Sequence, residues 1–286
     1  MTSGPAAVLL LSCPDQPGIV AAVADFVYRH GGNIVDAQQH TDAVDGVFFQ
    51  RIEIELAGCD LGRDDIAPAL SPLVERFAMS CTVRFSDAVA RTAILVSRQA
   101  HCLLDLLARA RSGELAIDVP LVVSNHPDHA DIAGWFGATY RHLPVTAATR
   151  AEQEAAVLDA LREHDIDLVV LARYMQVLSG DFLERWAGPV INIHHSFLPA
   201  FVGGRPYHQA HDRGVKIVGV TAHYATAELD QGPIIDQDVV RVSHRDSVED
   251  LQRRGRDLEV TVLGRAVHAH VEHRVLVHGT RTIVFE

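Results

Sequence analysis

Residues 188–201, GPVINIHHSFLPAF, decide how this chain is read. Val190 to Ile193 supplies a buried strand, and Asn192 and His194, two residues apart, project to the same side of it. Pro199 then prevents a regular helix from closing over them. An amide donor and an imidazole therefore stand side by side at the end of a strand.

Working outward, the flanking sequence repeats one pattern. Strands are expected at Ala93 to Ser97, Leu115 to Ser124, Asp167 to Ala172 and Val215 to Tyr224. Between them lie a helix from His101, another near Asp131 to Phe136, and a third from Thr149 to His164. Near-continuous apolar runs separated by helices predict a mostly parallel sheet covered on both faces. The fold class is α/β, a doubly wound, Rossmann-like unit whose site lies beyond the carboxyl ends of the strands.

The first ~85 residues read differently by period counting. Ala7 to Ser12 suits a buried strand, Cys13 to Gly18 is turn chemistry, and Ile19, Val20, Val23, Phe26 and Val27 recur with helical spacing. Strands at Asn33 to Gln38 and Val47 to Leu56, a helix over Leu70 to Met79 and a strand at Ser80 to Phe85 complete βαββαβ, a ferredoxin-like sandwich. The expected division is residues 1–86, a linker at 87–92, and 93–286.

Composition narrows the function. A formal net charge of -12 over 286 residues disfavours a nucleic-acid partner, and no basic run offsets it. The longest apolar stretches fall far short of the ~20 residues that cross a bilayer. No basic segment precedes the short apolar run near the N-terminus, so no signal peptide is expected and the location is read as cytoplasmic. Cys13, Cys59, Cys81 and Cys102 are scattered, without the spacing of a zinc site or a disulfide framework. Of 17 histidines the densest group is His268, His270 and His273, where only the last two share a helix face; no metal is expected there.

The segment DQPGIVAAVADFVYRHGGNI, with the βαββαβ order, resembles ACT domains. That resemblance implies either an oligomerisation surface, hence a homo-oligomer, or a site for an amino-acid effector. The effector candidates are Asp15, Gly18 and Asn33, at a loop leading into a helix N-terminus whose free N–H groups suit a carboxylate. Gly18 making only a turn, and Asn33 only a cap, is the competing reading.

LARYMQVLS at 171–179, the 188–201 segment and TAHYATAELDQGPII at 221–235 together resemble the folate-dependent formyltransferase family over roughly residues 92–286. The resemblance implies that Asn192, His194 and Asp230 are catalytic. It also implies that Met175, Gln176, Val177 and Leu178 line a pterin pocket with Ala225 and Ala227, supported by His223. The chemistry asks for these types independently. Attack on an N-formyl carbon develops an oxyanion that donors such as Asn192 and His194 stabilise, and the proton leaving water needs a shuttle, for which Asp230 is suited. Either Asp230 or His194 can take that proton. No cofactor is expected, because the formyl-folate is the substrate.

Within the family, the loop Ser97 to Cys102 has no glycine with which to hold a nucleotide phosphate. No RNA-binding domain is seen after the catalytic region. The ACT-like module followed by Asn-x-His-His-Ser matches the hydrolytic branch, in which water replaces the amine and His195 helps position it. The alternatives are a formyltransferase with an amine acceptor, or an inert folate or amino-acid sensor. In the loop from Phe201 to Tyr207, Val202-Gly203-Gly204 replaces a Lys-Gly-Ala common in relatives; Arg205 either substitutes for that lysine or is a plain surface arginine.

Overall fold

A computed structural model describes residues 4–200 and 206–286. The chain forms two compact units. One runs to Ala88 and also takes in Glu272–Leu276 and Ile283–Glu286; the other comprises Val89–Val271 and Val277–Thr282.

The first unit is built from β1 (Ala6–Pro14), α1 (Ile19–Arg29), β2 (Asn33–Asp42), β3 (Val47–Glu55), α2 (Arg63–Phe77) and β4 (Ser80–Phe85). Its antiparallel sheet has the order β2-β3-β1-β4, as the βαββαβ pattern requires. Strand β1 is apolar without alternation because both its faces are covered. Leu9 and Leu11 join a core with Ile19, Val23 and Leu70, while Leu10 packs with Phe49 and Phe285. On β3, the buried Arg51 is held by Asp36 at 2.8 Å and Glu53 at 3.0 Å, and donates to the carbonyl of His273 at 3.2 Å.

Helix α2 starts at Arg63, earlier than Leu70, where the sequence suggested. Pro68 and Pro72 lie inside it and remove two backbone donors. The cost is offset by Asp64 and Asp65, which complement the dipole in the first turn, and by the buried face of Ile66, Leu70 and Phe77.

The second unit continues with β5 (Ala90–Val96), α3 (His101–Ser112), β6 (Ile117–Ser124), α4 (Ala130–Trp135), β7 (Thr139–His142) and α5 (Arg150–Glu163). Then come β8 (Leu168–Leu171), α6 (Gly180–Trp186), β9 (Val190–His194), α7 (Pro206–Asp212), β10 (Ile217–Tyr224), β11 (Ile234–Arg241) and α8 (Val248–Val271). A hairpin of β12 (Val275–His278) and β13 (Arg281–Val284) follows.

The seven-stranded sheet has the order β11-β10-β9-β8-β5-β6-β7. Strands β7, β6, β5, β8 and β9 are parallel, and the order reverses beside β5, so a crevice forms there at the strand ends. Residues Ala93 to Val96 of β5 are wholly buried, which is why this strand reads as one apolar run. The sheet is thus mostly parallel, but β10 runs antiparallel to β9, and β11 antiparallel to β10. Among the described residues, no helix is long and apolar enough to cross a membrane.

Candidate active site

Strand β9 sets the site. Asn192 and His194 lie on one face of it, and the antiparallel register places His223 of β10 directly opposite Asn192. A bulge between Ala222 and His223 in the β10–β11 pairing locally re-aims that histidine. His223 Nδ1 lies 2.9 Å from the carbonyl oxygen of Tyr224, which can only accept, so Nδ1 carries the proton. Its Nε2 is then an acceptor, and Asn192 Nδ2 donates to it at 3.1 Å. This bond fixes the Asn192 amide with its nitrogen inward. Burial lowers the pKa of His223, which favours the same neutral form.

Asp230 arrives from the turn after β10. Its backbone holds φ 58°, a left-handed conformation that Asp tolerates better than most residues. Two residues on, a Cβ at Gly232 would stand 1.7 Å from the carbonyl oxygen of Tyr224, so only glycine permits this close return of the chain. Asp230 Oδ1 accepts from His194 Nδ1 at 3.3 Å and lies 3.8 Å from His223 Nε2. The hydrogen bond from His194 holds the Asp230 carboxyl below the usual carboxylate range. His194 Nε2 is buried without a hydrogen-bond partner among the described residues.

These groups line a cavity of about 320 Å³. All eleven catalytic and substrate candidates meet there: Asn192, His194, Asp230, Met175, Gln176, Val177, Leu178, His195, His223, Ala225 and Ala227. The segment after β8 is anchored from behind. Ser97 donates its backbone N–H to the carbonyl of Arg173 at 3.2 Å, and the Met175 N–H donates to Ser97 Oγ at 2.9 Å. Met175, Val177 and Leu229 are each more than half exposed, giving the mouth an apolar rim. Thr226, within the loop from Ala225 to Ala227, lines the cavity too, while Leu171, Tyr174, Leu183, Ile193 and Leu229 also line it and were missed in the sequence. Leu171 and Ile193 looked like ordinary strand residues. Tyr174 and Leu229 stood beside candidates already named, a signal that was available.

His195 lines the same cavity, and burial together with Arg173 and His194 lowers its pKa to about 4. The dense histidine segment near the C-terminus does other work, since the Tyr224 hydroxyl bonds His270 Nδ1 at 2.8 Å. All four cysteines are free, with Cys13 and Cys102 buried and Cys59 and Cys81 half-buried. Among the described residues, His101, Cys102 and Glu259 bring potential ligand atoms within 4.8 Å of one another. Burial and the nearby Glu259 raise the pKa of the Cys102 thiol, which keeps it protonated, and Glu259 is already bound by His101.

In the first unit the effector candidates are not gathered in this way. Gly18 caps α1 at φ 95° with no side-chain cap, Asn33 Nδ2 donates to Glu55 Oε2 at 3.4 Å, and Asp15 uses its backbone N–H on Gly46. The cavity found in this unit, about 10 Å³, is lined by none of them. The loop at 201–205, with Arg205, lies outside the described residues.

The Formyl transferase family matches residues 90–267, and the ACT domain family matches residues 7–71. A formyltetrahydrofolate deformylase of Synechocystis is 56% identical over 279 residues, covering 98% of each chain. The chain belongs to the formyltetrahydrofolate deformylase family. It is a hydrolase with an ACT domain ahead of a formyltransferase-fold domain. A crystal structure of a formyltetrahydrofolate deformylase from Pseudomonas syringae superposes with a TM-score of 0.97 at 46% identity, covering 100% of this chain and 96% of that one. A glycinamide ribonucleotide transformylase from Symbiobacterium toebii gives a TM-score of 0.66 at 34% identity, covering 69% of this chain and 95% of that one. The deformylase match thus extends over both units, whereas the transformylase match covers a smaller share of the chain.

Proposed function

We propose that the 320 Å³ cavity hydrolyses 10-formyltetrahydrofolate to formate and tetrahydrofolate, with Asn192, His194 and Asp230 as its catalytic residues. The observation that carries this reading is the Asn192–His223 and His194–Asp230 pairing beneath an apolar mouth. Asn192 keeps one amide hydrogen for the formyl oxygen after giving the other to His223. As water attacks the formyl carbon, charge builds on that oxygen, and Asn192 and His194 stabilise it by about 3 kcal/mol each. The Asp230–His194 pair takes the proton from water and returns it to N10 as the C–N bond breaks. The amine leaves as N10–H and the formyl carbon leaves as formic acid, which gives its remaining proton to solvent to become formate, so atoms and protons balance. Neither metal nor cofactor has a part in the reading.

The flat pterin ring is assigned to the wall formed by Met175 to Leu178 with Ala225 and Ala227. His223 orients Asn192, and His195, neutral at pH 7, positions the attacking water. For the ACT module we assign an amino-acid effector to the uncapped start of α1, with Asp15 and Asn33 as accompanying polar groups; a titration with amino acids that shifts neither activity nor Tm would remove it. The protein is further read as a cytoplasmic homo-oligomer.

The test is formate release from 10-formyltetrahydrofolate by purified protein without an amine, beside Asp230→Ala. Rapid release by the wild type and little by the variant is expected. Turnover only after an amine is supplied would make the chain a formyltransferase instead.

A further inference from the structure

Arg173 is placed at two costs that nothing so far explains. It holds φ 61°, a left-handed backbone that strains any non-glycine side chain. Its guanidinium is only 10% exposed, and Nε and Nη1 have no hydrogen-bond partner among the described residues. Among the described residues its ionic neighbour is Glu259 Oε2, 3.4 Å from Nε. With Nε turned to Glu259, Nη1 is left as a buried donor without a partner, on a strained backbone, and such a group asks for an explanation.

Arg173 also lines a second cavity, about 110 Å³, with Gln99, His195, His208, Arg256 and Glu259. His195 also lines the larger cavity, so the two spaces share that residue. Glu259, 1% exposed, is already committed: it accepts from His101 Nε2 at 2.6 Å and from the Tyr207 hydroxyl at 3.3 Å. Counting Arg173 and Arg256 as positive and Glu259 as negative leaves one positive charge around the cavity. The space has room for an ion of a few atoms.

We propose that this second cavity binds formate, the carboxylate released by the proposed reaction, through the Arg173 guanidinium, with Arg256 at its rim. The inference rests on the hydrolytic reading for the identity of the ion, and the fork of Arg173 matches a carboxylate in charge and geometry. With His195 neutral, the one net positive charge is left for the anion. Formate leaving Asn192 and His194 thus has a second resting place beyond His195, and the reaction cavity is cleared for the next folate.

The test titrates 13C-labelled formate into the purified, folate-free full-length protein and follows its NMR line width. Saturable binding by the wild type is expected. Arg173→Gln should raise the Kd roughly ten- to hundredfold, the loss expected for a charge-assisted hydrogen bond. Arg173→Lys should fall between, and Asn192→Ala should bind like the wild type. Absence of saturable binding, or binding lost in Asn192→Ala and kept in Arg173→Gln, would overturn the proposal. Should Arg173→Gln not fold, Arg256→Gln at the exposed rim decides: a Kd raised several-fold supports the site and an unchanged Kd sinks it. Because the readout is binding, formate bound at Arg173 by a protein that releases none from formyl-folate would reject the hydrolytic reading alone.

Discussion

In the second unit, Asn192, His194, His223 and Asp230 come from two strands and a turn and are linked by contacts of 3.1 to 3.8 Å. In the first, no hydrogen bond connects Asp15, Gly18 and Asn33, and the Asn33 amide is spent on Glu55 at 3.4 Å. Both sets follow from family resemblances in the sequence, joined to residue type and local context. What separates them is register: an antiparallel pairing holds side chains distant in sequence face to face, whereas a loop beside a helix start sets only its own backbone. Chemistry that needs several groups at once is therefore better supported in the second unit.

The sharpest way to break this comparison is Asn192→Ala, which removes a donor held by β9. It should lower kcat roughly 10²–10³-fold with little change in Tm; a variant within a few-fold of wild type would dissolve the assigned site. Next comes Gly232→Ala, whose new methyl must displace the Tyr224 carbonyl or the turn bearing Asp230. A loss of roughly 3 kcal/mol in urea unfolding, together with a fall in kcat, is expected from such overpacking.

A smaller effect belongs to His195. Its pKa is about 4 in the fold, against about 6.5 unfolded, so as pH falls from 7 the unfolded chain takes up a proton that the native state refuses. Stability should drop by about 2 kcal/mol between pH 7 and pH 5, and His195→Asn should flatten that slope in denaturant melts at the two pH values. Smallest of all, Asn33→Ala should change stability by less than about 0.5 kcal/mol and leave deformylation without added amino acid untouched. A large loss there would show that the first unit acts on catalysis directly.

Much of the fold was legible where burial imposes a single period. Strands β1, β5 and β9 are apolar because both faces or the site face are covered, and their sequence says so. Strand β7, TYRH, is short and polar, and β11 is broken by Asp236, Gln237 and Asp238, so neither carries a strand period. Prolines concealed the first turns of α2. The direction of β10 was not legible, since an apolar run has no polarity of its own. At the site, residue types and their strand spacing could be read, but the Arg173–Glu259 contact spans 86 residues of chain between a loop and α8, and nothing local announces it.

The covering of Leu10, Phe49 and Arg51 by residues near the end of the chain has a consequence for how the protein is made. The strands of this sheet are synthesised well before Phe285 and the His273 carbonyl that complete it. Until then one of its faces is apolar and open, with a buried-site arginine short of an acceptor. Transplanting residues 1–86 into another protein would reproduce that unfinished state permanently, so a graft of this module needs the closing segment supplied as well.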